Sequence, residues 1–148
     1  MIKKSFCLVA LFFLALNVRA IEAGLIAGSM SQPDNFVYGL SAGVGAIVPM
    51  LKFEFEGYRI KEDGLNSLSA AVKVRPKFGS FAPYVLLGAG GEFETLSFRF
   101  SEYRFYTMVG GGLHVFFSSL FSLRLDLRFL HSSDADRTRI SGGVFFHI

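Results

Sequence analysis

Tryptophan is absent from this chain, and cysteine occurs once, at Cys7. A single cysteine excludes a disulfide scaffold and a Cys-based zinc site. Acidic residues are missing from the first twenty positions, which hold Lys3, Lys4 and Arg19. The formal charge of +3 therefore belongs wholly to that segment, because 12 bases face 12 acids in the other 128 residues. With no basic excess beyond residue 20, a nucleic-acid partner is not expected. Proline is scarce at four residues, whereas 16 Gly and 18 Phe stand in a chain that is 51% apolar. So greasy a composition is not that of a disordered chain.

The first twenty residues read as an address. Two positive charges precede the run Leu8 to Leu16, and Val18-Arg19-Ala20 places small or short side chains where a signal peptidase reads. This is the n-region, h-region and cleavage pattern of a secretory signal over 1–20. The mature domain is then 21–148, cysteine-free and exported.

Beyond residue 20 the chain alternates. In Leu123-Arg124-Leu125-Asp126-Leu127-Arg128-Phe129 the odd positions are large and apolar, and the even ones are charged. Period two marks a two-faced strand, because a helix would spread those charges around its whole surface. Leu51 to Glu56 and Leu68 to Arg75 repeat the pattern. Two longer stretches, Phe36 to Leu51 and Phe105 to Leu123, lack Asp, Glu, Lys and Arg and approach the length of a membrane helix. Their glycines oppose that reading, since each costs a helix about 1 kcal/mol relative to Ala. Eight strands are expected, at 21–30, 35–48, 50–61, 66–76, 82–96, 102–117, 121–132 and 137–148. Their spacing exceeds that of a soluble sandwich. An even number leaves both termini on one side, as an outer-membrane barrel requires.

The polar rows mix Gly and Ser with charge, which suits the inside of a narrow barrel. The apolar rows suit lipid. An inward ion-pair network is expected from Lys52, Glu54, Glu56, Lys73, Arg75, Glu92, Arg124, Asp126 and Arg128, nearly balanced in sign so that buried charges find partners. Tyr38, Tyr58, Tyr84, Tyr103 and Tyr106 are expected to form interface girdles. His114 and His147 are expected in the lumen near the termini, and no metal or other cofactor is expected.

The terminal alternation Ile140, Gly142, Val144, Phe146, Ile148 resembles the last strand of bacterial outer-membrane proteins, with Ile148 where Phe is usual. Ala82-Pro83-Tyr84-Val85-Leu86-Leu87-Gly88-Ala89-Gly90-Gly91 and Val109-Gly110-Gly111-Gly112-Leu113 look like strands of the small eight-stranded outer-membrane barrel superfamily, the opacity-protein type. The resemblance covers nearly all of 21–148. It implies an all-β, antiparallel, up-and-down transmembrane barrel in the outer membrane, probed at Val144, Phe146 and Ile148 by the barrel-insertion machinery. Outer-membrane lipid and lipopolysaccharide would be its neighbours, host or envelope proteins its candidate partners, and a monomer its state. A shared architecture of this kind hosts several functions.

One local feature suggests chemistry. Leu130-His131-Ser132-Ser133-Asp134-Ala135-Asp136 resembles the His-x-Ser-Asn-Ala motif of lipid A deacylases, also eight-stranded barrels. His131 would be the base and Ser133 the nucleophile, with Asp134 in place of Asn. A base needs an orienting group. That family uses a Glu beyond the serine, yet the chain has none after Glu102. Asp134 or Asp136 would have to serve. The leading expectation is a non-enzymatic envelope or surface barrel, and the alternative is a lipid A acyl hydrolase.

Overall fold

The computed structural model describes residues 20–31, 34–46, 48–94 and 103–148. Cys7 and the segment read as a signal, up to residue 19, lie outside them. The described chain forms eight antiparallel strands: β1 Ile21–Met30, β2 Asn35–Gly45, β3 Leu51–Ile60, β4 Leu65–Val74, β5 Phe81–Phe93, β6 Arg104–Phe116, β7 Phe121–Ser132 and β8 Asp136–His147. Each pairs with its sequence neighbour, and β1 pairs with β8 to close a barrel. Ile21 and Ile148 complete the seam by exchanging backbone hydrogen bonds of 3.0 and 2.9 Å. Closure removes every unpaired strand edge, which lipid would not tolerate.

The strands lie within a few residues of the expected ones. β2 ends at Gly45, earlier than expected, because the backbone turns back there: Ala46 N–H donates to Leu51 O and Leu51 N–H to Val48 O. The expected ends of β5 and β6, at 96 and 102, fall outside the described residues. At the Glu62 to Leu65 turn the chain passes Gly64 with φ +67°, a left-handed conformation that glycine adopts without strain.

Period two governs exposure. β7 alternates outward and inward from Phe121 to Ser132 without a break. Leu25, Leu87 and Leu125 are more than 60% exposed, while the largest fully buried side chains include Arg124, Arg128, Arg139 and Lys73. The molecule is inside-out relative to a soluble barrel, whose interior holds the apolar set.

The interior has three storeys. Toward the end opposite the termini, Met30, Val37, Ile60 and Leu130 are buried together as an apolar plug. The middle storey holds arginines and carboxylates. The termini end holds Glu22, Lys73, Arg75, His114, Ser122 and the half-buried His147. The inward rows, expected to mix Gly and Ser with charge, thus also carry an apolar cluster.

Three of the five tyrosines expected at the interfaces are not there. Tyr58, Tyr84 and Tyr106 are 3–4% exposed and point into the lumen. Strand parity explains the correction: Tyr58 lies two residues beyond Glu56, and Tyr84 and Tyr106 share parity with the inward Glu92 and His114. Tyr38 faces outward, 44% exposed and stacked on Phe36. Tyr103 precedes β6 and packs on Phe93 and Phe105. Interior glycines make room for the inward rings. A Cβ at Gly112 would meet Tyr84 Oη at 2.6 Å, and one at Gly110 would meet Arg128 Cγ at 2.9 Å.

Candidate functional site

The middle storey is built by β3 and β7, which lie four strands apart and so face each other across an eight-membered ring. Alternation aims Glu54 and Glu56 inward from one wall, and Arg124, Asp126 and Arg128 from the other. Arg124 reaches Glu54 at 2.8 Å and Glu56 at 2.6 Å. Arg128 reaches the same two carboxylates at 2.7 and 2.8 Å, and its Nε donates to Asp126 at 2.7 Å. Arg139 of β8 donates to Glu56 at 2.8 Å. Tyr84 Oη donates to Asp126 at 2.5 Å. Three guanidiniums and three carboxylates thus form a neutral cross-brace over the lumen. Lys73 joins it through Glu54. Desolvating so many ions is costly, and each is retained only because its partners are close and multiple.

All nine residues expected in a lumen network are buried inside the barrel: Lys52, Glu54, Glu56, Lys73, Arg75, Glu92, Arg124, Asp126 and Arg128. Glu92 lies apart from the cross-brace, paired with Arg137 at 2.5 Å. No ion pair joins Lys52 to a carboxylate among the described residues. Sequence reasoning missed Glu22, Arg137 and Arg139, which are equally buried. The parity of β8 would have revealed both arginines, since Ile140 and Val144 face out. With them, the buried set is seven bases to five acids.

At the termini end a ring of polar contacts joins five strands or their ends. Arg75 pairs with Glu22 at 2.6 Å, and its Nη1 lies 3.3 Å from His114 Nε2. His114 Nδ1 lies 3.1 Å from Ser122 Oγ, which lies 2.7 Å from His147 Nε2. His147 Nδ1 faces Glu22 at 3.6 Å. One proton assignment satisfies the series. Arg75 donates to His114, His114 Nδ1–H donates to Ser122, and the Ser122 hydroxyl donates to His147. Acid, imidazole and hydroxyl follow the order of a serine-hydrolase triad. Ser122, however, is 1% exposed and held from both sides. It is a strut of the clasp that links β6, β7 and β8.

The opposite rim carries the sequence motif. His131 and Asp136 are directly paired across the β7–β8 hairpin, and His131 Nδ1 lies 2.5 Å from Asp136 Oδ1. Both side chains are more than three-quarters exposed. Of the two carboxylates that could stand in for the missing glutamate, Asp136 is the one bonded to His131. Ser133 lies just beyond β7, and its hydroxyl donates to Asp134 at 3.2 Å. Among the described residues no hydrogen bond joins Ser133 to His131. Thr107 of β6 is the direct cross-strand neighbour of His131. A cavity of about 410 Å³ runs beside them, walled by the outward Leu87, Val109 and Phe129. Val144, Phe146 and Ile148 face outward along the closing seam.

No protein-family model matches this sequence, and no curated protein does. Solved structures do. The N-terminal β-barrel domain of Pseudomonas aeruginosa OprF superposes with a TM-score of 0.74 at 16% identity, over 87% of this chain and 97% of that one. The Yersinia pestis outer membrane protein Ail, in a phospholipid bilayer nanodisc, gives 0.57 at 15% identity, over 86% and 99%. The outer membrane enzyme PagL gives 0.52 at 15% identity, over 86% and 98%. The chain therefore has the fold of small eight-stranded outer-membrane barrels.

Proposed function

We propose that this fold serves here as a closed, non-enzymatic barrel of the outer membrane, with a structural or surface-interaction role in the envelope. Residues 1–20 act as its export signal, and the termini face the periplasm. Val144, Phe146 and Ile148 present the alternating apolar edge that the barrel-insertion machinery reads. The protein is a monomer in contact with outer-membrane lipid and lipopolysaccharide, and its loops meet envelope or host proteins. One observation carries this reading: charge is buried and large apolar side chains are exposed, an arrangement water penalises and hydrocarbon rewards.

The absence of tryptophan makes the test clean. In bilayers containing brominated lipid, the fluorescence of Leu125→Trp is expected to be quenched and that of Tyr84→Trp to be spared. Equal quenching would refute the inside-out placement.

A specific observation favours a second reading, a lipid A acyl hydrolase. The His131–Asp136 bond orients an imidazole beside an apolar cavity on the lipid-facing surface. In that chemistry a hydroxyl attacks the ester carbonyl while His131 accepts its proton, then returns it to the leaving alcohol. Ser133 is the nucleophile the motif suggests, and Thr107 is the hydroxyl that register places opposite His131. Acyl release from lipid A, followed by mass spectrometry, should then vanish in His131→Ala and in one of Ser133→Ala or Thr107→Val. No release by the wild type refutes the hydrolase reading.

A further inference from the structure

The outward rows of the eight strands are almost free of charge. Among the described residues, Arg59 is the one lysine or arginine on them, and the other titratable groups on those rows are Tyr38, His131 and Asp136. Arg59 is exposed near the outer end of β3, in register with Tyr38 on β2 and Asn66 on β4. Its hydrogen bond to Asn66 Oδ1 is 3.2 Å, and no described carboxylate pairs with it. A cation on the lipid face is tolerated at the interface only if its head finds water or an anion.

Directly below Arg59 the surface is hollow. The next outward residue toward the termini is Gly57, flanked in register by Leu40 and Leu68. One row further down, Ala42, Ala70 and Ala89 stand in line with Phe55. Together with Phe105 these residues line an apolar groove of about 1090 Å³. From Arg59 to Phe55 is four residues, about 13 Å along a strand. The groove extends sideways from β1 to β6 over these two rows, and its upper edge on β3, Gly57, is the outward position next below Arg59, so an anionic head held by Arg59 can lay an apolar chain into it.

We propose that this groove seats an acyl chain of lipid A, the phosphorylated glycolipid of the outer leaflet, with a lipid phosphate held by Arg59 and steadied by Asn66. Guanidinium matches phosphate in charge and can bind it through two N–H groups. The proposal rests on the membrane-embedded reading above, and on the face of β2 to β5 rather than the His131 rim.

The test is lipid retention by the intact protein in detergent, measured by native mass spectrometry after titration with bisphosphorylated lipid A. The wild type is expected to retain one lipid A. Arg59→Gln is expected to weaken retention about tenfold, the scale of a lost charge-assisted contact. Ala70→Phe, which fills the floor without touching the lumen, should abolish it. Lys77→Gln, a cation at the opposite end, should leave it unchanged. Equal retention of phosphate-free lipid A or of phosphatidylglycerol overturns the assignment, as does wild-type retention by Arg59→Gln. Heat-modifiable gel migration is read on every sample. A wild type that folds but retains no lipid A sinks the groove alone, whereas one that forms no heat-modifiable barrel sinks the membrane reading beneath it.

Discussion

Replacing Glu56 by Gln should be among the most damaging single changes of polar character in this protein. Glu56 accepts from Arg124 at 2.6 Å, Arg128 at 2.8 Å and Arg139 at 2.8 Å. The three losses are unequal. Arg124 keeps Glu54 at 2.8 Å, and Arg128 keeps Glu54 and Asp126, each at 2.7 Å. Arg139 keeps one carboxylate, Asp126 at 3.6 Å, and the face of the Tyr58 ring at 4.8 Å, while its side chain is 1% exposed. The cost is therefore dominated by one orphaned buried guanidinium, about 3–5 kcal/mol, and the three contacts do not add because they share one carboxylate. Gln retains a carbonyl acceptor, which places the expected loss near the lower figure. That is about a hundredfold in the folding equilibrium. The assay is urea titration in phosphatidylcholine vesicles, scored by the heat-modifiable band. Adding Arg139→Met removes the orphan and should restore most of the loss, since a buried ion pair replaced by apolar groups of similar size is often neutral. Glu56→Gln within about 0.5 kcal/mol of wild type would refute the cross-brace as a structural element, as would a double variant worse than the sum of the two single ones.

Three further outcomes follow from the same geometry. Planar-bilayer recording should show no steady conductance for the wild type, whereas Glu54→Ala combined with Arg124→Ala, which cuts the brace from both walls, should admit small ions. Gly110→Val should yield no heat-modifiable folded band, because its Cβ would collide with Leu127 O and lie 2.9 Å from Arg128 Cγ, whereas Gly64→Asn in the open turn should fold. Ser122→Ala leaves His114 Nδ1–H without an acceptor in a fully buried site and should cost about 1–3 kcal/mol in the urea assay.

Much of this architecture is local and was therefore legible in the residues. Alternation in Leu123 to Phe129 or Leu51 to Glu56 reports strand and facing together, because side-chain direction in a strand depends only on position parity. The same rule applied to Tyr58, Tyr84 and Tyr106 would have turned them inward. Weighing them as girdle aromatics gave residue type precedence over parity. The apolar plug of Met30, Val37, Ile60 and Leu130 had no such signal. Inward apolar residues at strand ends look no different, taken singly, from a break in the pattern.

Which charges meet was not legible. Glu56 and Arg128 are 72 residues apart, and only closure of eight strands puts β3 opposite β7 at matching height. The His131–Asp136 bond depends likewise on the register of one hairpin. The sequence by itself determined the strands, their two faces and the sign of what each face carries, because period two is a property of the chain. The tertiary structure decided the cross-brace, the clasp through Ser122 and the groove below Arg59, because those depend on which rows ring closure brings to the same height.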